Sequence, residues 1–553
     1  MTDILETLIL ISSIMLLIAL FLFIFYRGKA FLMFFQQEEY DGRRFLNWVT
    51  AKGAFDKRTT LIVILGLVFK TLYIGEFKEY EQGMNLSISA YLFILSGGFS
   101  YGAWISRYHL QNAKKALVIT TRAKRIFSIY FILFILIIYI KSIIGYEFSQ
   151  TSDAILLLMF LQAPPIFIIL SNTLLIPIEA LIKAGYVREA KAKLKDYNPI
   201  IIGITGSYGK TSTKHILNHI LSTSYQTLAT PGSVNTEMGI CRTILEDLQP
   251  EHKYFIAEMG AYGEGAISKL CDLCPPKFGI ITGIGVAHFE RFKSISSVFK
   301  TKFELAEAVK KAGGYTLVND AAIPSDLIDP RLQKDKSLVP IGSISDKAGT
   351  LSFLNIKEKR DGLHLNLSIK EKDVSFFVPI YGTQQAGNIA LSIAMALRLG
   401  YPISTIKAAL KTLPQTRHRQ EVTLSKSGPS IIDDAYNSNP LGFMGALDTL
   451  NILGSEGGKR ILITPGMVEL GGEHDPKHLE VGTFASERVD IALVVTPNRI
   501  PTFVEGLKGG NTQVELFDTQ EEAETRAKAL AGDGDIILFE NNLPDLFESD
   551  VKF

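Results

Sequence analysis

The sequence predicts an α-helical membrane bundle followed by an α/β region. Three observations support this fold class. Long apolar segments fill residues 1–185 of the 553-residue chain. The remainder has the charged, glycine-containing composition of a soluble α/β protein. From residue 196 onwards, short β-rich runs alternate with helical patterns, as a parallel sheet requires.

Five apolar segments in the first region are candidates for membrane-spanning helices, since about 20 apolar residues are needed to cross the hydrocarbon core. The segments are Leu8–Tyr26, Thr60–Ile74, Leu86–Ile105, Ile126–Ile144 and Ala154–Ile182. The second is short and contains Lys70. The last contains Pro164 and Pro165, so we expect a kink or a break in that helix.

Loop charges predict how these segments are oriented. Lysines and arginines are frequent after the first, third and fifth segments, whereas the other flanks are acidic or nearly free of positive charge. Because loops rich in Lys and Arg remain on the cytoplasmic side, we expect five spans with the N-terminus outside. The chain after Lys183 would then be cytoplasmic, attached to a bacterial-type inner membrane and in contact with membrane lipid.

Composition argues against several classes of protein. The formal net charge of +1 gives no indication of nucleic-acid binding. Three cysteines are too few for a disulfide framework. Cys271 and Cys274 form one CxxC pair without two further ligands at the spacing of a zinc site. We therefore interpret them as part of a buried helix end before Pro275 and Pro276.

A glycine-rich segment follows the first strand pattern of the α/β region. Strand-like residues 200–205 precede it and helix-like residues 214–221 follow it. A strand, a glycine-rich turn and a helix together form a cradle that binds phosphate through backbone N–H groups. We expect Lys210 to reach the β- and γ-phosphates of ATP and Thr211 to offer its hydroxyl to Mg²⁺. The predicted ATP-binding residues are Gly206, Ser207, Tyr208, Gly209, Lys210, Thr211 and Ser212.

Residues Thr205–Thr211 resemble the Mur ligase signature, and further segments between Pro199 and about Glu540 match that family in order. These segments are Thr230–Gly239, Ile256–Gly260, Ile281–His288, Lys300–Glu304, Gly387–Asn388, His418–Glu421, Asp433–Pro440, and Glu469–Gly471 with His478. The resemblance is greatest to the branch that adds D-alanyl-D-alanine to UDP-N-acetylmuramoyl-tripeptide. It does not extend to residues 1–195.

The resemblance implies a set of site residues and two Mg²⁺ ions. Thr211 and Glu258 would hold one ion, while His288 and Lys302 would hold the second, with Lys302 carbamylated in many family members. Lys210, Lys302 and His288 would be the catalytic residues. The remaining nucleotide contacts would come from Asn388, Arg419, Asp434, Tyr436 and Asn437.

Each of these residues also has a plainer interpretation. Taken alone, Glu258 could equally be a surface acid at a strand end or a metal ligand. A single histidine such as His288 is more often a structural residue than a metal ligand. Lys302 lies among other lysines, most of which are solvated, and Asp434 resembles an ordinary turn acid. Only the joint order of the residues along the chain favours a functional role.

The resemblance further implies the architecture and the reaction. Residues 1–185 would be the transmembrane region, residues 196–415 a central P-loop ATPase domain, and residues 416–553 a Rossmann-like C-terminal domain. The enzyme would be an ADP-forming acid–amino-acid ligase of cell-envelope precursors. The γ-phosphate of ATP would pass to a substrate carboxylate, and the amine of an amino acid or dipeptide would attack the acyl phosphate.

The sequence departs from the family at both ends. The N-terminal domain that holds the UDP-sugar in soluble members is replaced by apolar segments. The last strand normally leads into a Lys-Gly-Ser-Arg-like segment, whereas here Ile536–Phe539 is followed by Glu540–Asp545. The identities of both the carboxylate acceptor and the amine substrate are therefore open, and the acceptor could be lipid-linked.

Two other functions stay open at this point. A poly-γ-glutamate-type synthetase also joins a membrane anchor to a Mur-like core, but it makes a polymer instead of one bond. A transporter component or scaffold that only binds ATP would tolerate Lys302→Ala, whereas a ligase would lose most activity. An amidating ligase is disfavoured, because that relative carries a four-cysteine zinc module.

Overall fold

The chain folds into two compact units. In this computed structural model the first unit is Met1–Ile182 together with Leu543–Phe553, and the second is Lys183–Asn542. The structure describes residues 2–51, 56–74, 81–113, 115–144, 157–285, 292, 294–341, 351–370, 372–436, 438–454 and 457–543.

Long helices form the first unit. They are α1 (Thr2–Gln37), α2 (Gly42–Ala51), α3 (Lys57–Phe69, continued by a π-helical turn at Lys70–Ile74), α4 (Glu81–Gln111), α5 (Thr121–Ile144) and α6 (Pro164–Tyr197, whose end from Lys183 belongs to the second unit). Residues 157–162 are also helical, and the helix breaks at Ala163. The expected break is thus confirmed at Pro164, where the missing N–H and fixed φ of proline suit a helix start.

Among the described residues, four helices are long and apolar enough to cross a membrane, namely α1, α4, α5 and α6. The predicted second segment, Thr60–Ile74, lies in the shorter helix α3 and its π turn. The count of five spans therefore stays a prediction. Large apolar side chains point outward from the long helices; Leu17 is 66% exposed and Ile135 is 63% exposed. Such a continuous apolar exterior is typical of a lipid-facing surface.

A polar cluster lies inside the first unit. The guanidinium of Arg27 donates to the carboxylate of Asp56, and both side chains are almost fully buried. Asp56 also caps α3 by accepting a hydrogen bond from Thr59 N at 2.8 Å. Gln162 Nε2 donates to Thr60 Oγ1 at 2.8 Å. Charges in an apolar interior persist only when they are paired and hydrogen-bonded, so this cluster fixes the contact between the helices.

The second unit begins with a parallel sheet of six strands in the order β2-β3-β1-β4-β5-β6. The strands are β1 (Ile200–Thr205), β2 (Thr227–Ala229), β3 (Tyr254–Glu258), β4 (Phe278–Ile281), β5 (Tyr315–Val318) and β6 (Leu338–Pro340). The helices that follow them are α7 (Lys210–Leu221), α8 (Glu237–Asp247), α9 (Ala266–Leu273), α10 (Ile295–Lys311) and α11 (Ser325–Lys334). The strands are apolar on both faces because helices cover both sides of the sheet.

Three antiparallel strands and two helices complete this part of the second unit. They are β7 (Ser352–Lys359), β8 (Gly362–Ile369), β9 (Lys372–Val378), α12 (Gln385–Arg398) and α13 (Ile403–Lys411). Cys271 and Cys274 are buried free thiols at the end of α9. Their interpretation as part of a helix end before the two prolines is therefore confirmed.

A second six-stranded sheet follows, in the order β10-β11-β15-β12-β13-β14, with β10 antiparallel and the other strands parallel. Its strands are β10 (Glu421–Thr423), β11 (Ser430–Asp434), β12 (Arg460–Thr464), β13 (Ile491–Val495), β14 (Gln513–Phe517) and β15 (Ile536–Glu540). The helices α14 (Pro440–Leu453), α15 (His474–Ser486), α16 (Pro501–Leu507) and α17 (Gln520–Leu530) lie between these strands in the chain. In open sheets of this kind, ligands bind at the carboxyl ends of the strands.

Candidate active site

The phosphate-binding loop joins β1 to α7. Gly209 has φ of +78° and lies directly before α7, a left-handed conformation that glycine adopts without strain. A side chain at Gly206 would collide with Thr282 Oγ1. Ser207 anchors the loop, because its N–H donates to Gly283 O at 2.9 Å and its Oγ accepts from Gly285 N at 3.0 Å. The expected strand, turn and helix are therefore present. Glycine is required at position 209 by the left-handed backbone and at position 206 by the lack of space for a side chain.

Lys210 bends back over this loop. Its Nζ donates to Gly206 O at 2.7 Å and to Ser207 O at 3.2 Å. Burial lowers the pKa of Lys210 to about 8, with Glu258 opposing that shift and Arg419 adding to it. An arriving phosphate would offer this ammonium a stronger acceptor than two carbonyl oxygens.

Glu258 ends β3, which pairs with β1, and its carboxylate points at the start of α7. Oε2 accepts from Thr211 Oγ1 at 3.0 Å and pairs with Lys214 Nζ at 3.1 Å. Oε1 accepts from Asn235 Nδ2 at 3.3 Å. The register that pairs Ile204 with Glu258 brings the acid beside the loop. The structure therefore brings together the two side chains expected to bind the first Mg²⁺.

This pair of oxygen donors fits the expected ion. Glu258 is 1% exposed and Thr211 is 8% exposed, so water cannot solvate the carboxylate freely. A carboxylate and a hydroxyl beside a phosphate cradle are ligands that Mg²⁺ uses together with phosphate oxygens and water. When bound, the ion would neutralise phosphate charge.

Lys302 lies on α10 and is 3% exposed. Burial and the charge of Lys210 shift its pKa well below the ordinary value, with Glu304 opposing. Phe292 lies nearby, with its ring centroid 6.0 Å from Lys302 Nζ. An amine in these surroundings is neutral more readily than a solvated lysine.

Asn388, on α12, closes the loop from the other side. Its Oδ1 accepts from Thr213 Oγ1 at 3.1 Å, and a side chain at Gly209 would collide with the same oxygen. Tyr208 and Ser212 line one cavity with Asn388, together with Arg419 and Asp434 from the region of the second sheet. This cavity therefore gathers half of the twelve predicted nucleotide-binding residues, since Gly209 lines it as well.

The segment before β10 carries Arg419 into that cavity. Its guanidinium carbon lies 4.3 Å from the centroid of the Tyr436 ring. The flanking residues His418 and Gln420 both have positive φ, at 55° and 53°. Gln420 N donates to Asp434 Oδ1 at 3.2 Å, which ties the segment to the end of β11.

Two predicted site residues, His288 and Asn437, lie outside the described residues. The sequence did not single out Lys214, Gln420 or Glu540, which contact Glu258, Asp434 and Ser438 respectively. One signal for Lys214 was available: it lies three residues after Thr211, on the same helix face. The other contacts join residues that are distant in sequence.

Comparison with family models decides the family. Residues 204–396 match the Mur ligase middle domain, and residues 418–540 match the Mur ligase glutamate ligase domain. The chain belongs to the Mur ligase family. This Mur ligase is accordingly an ATP-dependent amide ligase, as the sequence motifs indicated.

Curated relatives of this Mur ligase point to one branch. The UDP-N-acetylmuramoyl-tripeptide–D-alanyl-D-alanine ligase of Bacillus subtilis is 30% identical over 369 residues, which is 66% of this chain and 77% of that protein. The Escherichia coli enzyme of the same name is 30% identical over 288 residues, 52% of this chain and 62% of that protein.

Solved structures show the same fold. MurF from Thermotoga maritima in complex with ADP has a TM-score of 0.57 at 24% identity, covering 67% of this chain and 82% of that one. MurF from Acinetobacter baumannii has a TM-score of 0.56 at 22% identity, covering 65% and 77%. The ligase part of this chain therefore has the fold of these enzymes, and the two matching family models begin at residue 204.

Proposed function

We propose that this Mur ligase joins an amino acid or dipeptide to a carboxylate of a cell-wall precursor at the inner face of the plasma membrane. The observation that carries the proposal is the buried contact of Thr211 and Glu258 beside the phosphate loop. These two oxygen ligands would hold the Mg²⁺ ion that neutralises phosphate charge during ATP-dependent activation of a carboxylate.

The reaction has two steps. A carboxylate oxygen of the acceptor attacks the γ-phosphorus of ATP, and the bond to the β-phosphate oxygen breaks, which gives an acyl phosphate and ADP. The amine nitrogen then attacks the acyl carbon, the tetrahedral intermediate expels phosphate, and the nitrogen loses its proton. Lys210 holds the transferring phosphoryl group, and Arg419, Asp434 and Tyr436 close over the nucleotide.

Lys302 is proposed to be carbamylated. Its neutral amine would attack CO₂, forming an N–C bond and releasing one proton, and the resulting carbamate would carry the negative charge that a second Mg²⁺ needs beside His288. The low pKa and near-complete burial of Lys302 support this assignment. A carbamate signal with ¹³C-bicarbonate that is present in the native protein and absent in Lys302→Gln would test it by NMR.

The apolar helices are proposed to hold the catalytic unit at the cytoplasmic face, with five spans and the N-terminus outside. The exposed apolar side chains of the long helices support a lipid-facing surface. The three native cysteines are buried, so single engineered cysteines can report sidedness. A cysteine introduced by Glu189→Cys, at an exposed position of α6, should react only after the membrane is opened; labelling in intact cells would contradict the orientation.

The function is tested by mass spectrometry of products from membranes supplied with ATP, candidate cell-wall acceptors and candidate amines. We expect one new amide per acceptor and continuous ADP release only when both the acceptor and the amine are present. A ladder of products would instead identify a polymerising synthetase. Turnover that never rises above background with any pair of substrates would contradict a ligase role.

A matched pair of variants ties that activity to the site. Lys302→Ala should abolish product formation. Lys300→Ala, on the same helix but 72% exposed and paired with Glu264, should retain it. Equal product formation by the two variants would contradict a catalytic role for Lys302.

A further inference from the structure

Lys214 is a buried lysine that the reaction steps above do not use. It lies on α7 and is 0% exposed. Its Nζ donates to Gly232 O and pairs with Glu258 Oε2 at 3.1 Å. The side chain therefore connects α7, the loop after β2 and the end of β3.

The pairing occupies the oxygen that a metal ion would use. Glu258 Oε2 already receives the Thr211 hydroxyl at 3.0 Å and the Lys214 ammonium at 3.1 Å. Asn235 Nδ2 holds the other oxygen at 3.3 Å. A divalent cation that bound both Thr211 and Glu258 would have to turn the hydroxyl proton away and take the place of the ammonium at Oε2.

The charges around Glu258 also oppose a lone metal ion. The ammonium of Lys210 and the guanidinium of Arg419 act on this region in addition to Lys214. A free dication would add two positive charges to a buried site whose carboxylate is already paired, which is unfavourable at low dielectric. A nucleotide brings several negative charges and reverses that balance.

We propose that Lys214 is a placeholder cation, which keeps Glu258 paired in the nucleotide-free enzyme and so prevents a divalent cation from binding before the nucleotide. The inference rests on the proposed role of Glu258 as a metal ligand. Lys214 is a positioning residue, because it acts on the metal through Glu258. When metal and nucleotide enter together, Gly232 O keeps the ammonium close to the site.

The test is Mn²⁺ binding to the full-length protein in detergent, measured by electron paramagnetic resonance of free Mn²⁺ with and without ADP. The native protein should bind Mn²⁺ at this site only with ADP. Lys214→Met and Lys214→Gln should bind it without ADP at least tenfold more tightly than the native protein, and Lys214→Arg should behave like the native protein. Equal nucleotide-free affinity in native protein and both neutral variants would overturn the proposal.

Two further measurements keep the test decisive. Mn²⁺ alone should raise the unfolding temperature of Lys214→Gln, which retains hydrogen-bond donors, but not that of the native protein; absence of this shift overturns the proposal. Lys193→Gln is the control, since Lys193 Nζ also donates to a carbonyl, Leu245 O at 2.8 Å, but pairs with no carboxylate among the residues that the structure describes. Full Mn²⁺·ADP binding by Glu258→Gln would instead refute the metal role of Glu258.

Discussion

Asp434 and Glu540 end two hydrogen-bonded parallel strands at paired positions, so two carboxyl groups meet in the interior of the C-terminal part of the chain. Glu540 is 0% exposed and Asp434 is 8% exposed. Burial raises the pKa of Asp434 to about 7, against the opposing charge of Arg419, and burial together with Asp434 raises the pKa of Glu540. Ser438 Oγ donates to Glu540 Oε1.

We expect Glu540→Gln to stabilise the protein at alkaline pH. A carboxyl group whose pKa is raised on folding contributes stability below its unfolded pKa, and this is lost as pH rises through its folded pKa. The amide keeps an acceptor for Ser438 and removes one buried ionisable group. The gain in unfolding free energy should be about 1–3 kcal/mol at high pH and shrink towards pH 5.

Thermal unfolding of both proteins between pH 5 and 9 measures this difference. Glu515→Gln is the control, because Glu515 pairs with Arg526 at the surface, and that partner lowers its pKa. A loss of stability in Glu540→Gln at every pH would show that the carboxylate itself is required.

Gly209→Ala should weaken nucleotide binding at least tenfold. The new methyl group would collide with Asn388 Oδ1 and displace the side chain that closes the phosphate loop. Gly265→Ala is a close match, since Gly265 has φ of +79° before a helix but open space around it. Both substitutions should cost about 1–2 kcal/mol of stability for the left-handed backbone. Isothermal titration with ADP measures the affinity of each variant. Similar ADP affinities of Gly209→Ala and Gly265→Ala would contradict the role of the Asn388 contact.

Arg419→Ala should raise the dissociation constant for ATP more than Arg419→Lys does. Lysine retains the charge, but it loses the planar contact with Tyr436, worth about 0.5–1 kcal/mol at an exposed ring. Tyr436→Phe keeps the ring and should bind ATP like the native protein, whereas Tyr436→Ala should resemble Arg419→Lys. Equal affinities of the two Tyr436 variants would exclude a role for the ring.

His478 should make the C-terminal part of the chain sensitive to acid. It is 0% exposed; its Nε2 accepts from Met467 N at 2.9 Å and its Nδ1 donates to His474 O at 2.7 Å. Burial lowers its pKa to about 4. The stability that depends on neutral His478 is complete above about pH 6.5 and falls as pH drops towards 4, by up to about 3 kcal/mol.

Hydrogen exchange of the Met467 amide between pH 4 and 8 reports this loss, after correction for the intrinsic exchange rate. His252, whose Nδ1 accepts from Gln249 N at the surface, provides a control site. Protection at Met467 that stays constant down to pH 4 would contradict the assignment of a neutral, buried imidazole.

The sequence predicted the local secondary structure around the phosphate loop and the helix break at Pro164. Strand β1, the glycine turn and α7 follow from neighbouring residues. The break at Pro164 follows from proline chemistry. These features depend on side-chain period, glycine and proline, which act within a few residues.

Long-range contacts were decided only by the tertiary structure. Lys214 meets Glu258 across 44 residues, and Ser438 meets Glu540 across 102, because parallel-strand register fixes which strand ends are neighbours. The sequence supplied Glu258 and Asp434 as candidates but not their hydrogen-bond partners Lys214 and Gln420. Burial and pairing arise from the assembled sheets, so the electrostatic character of this site is a property of the fold.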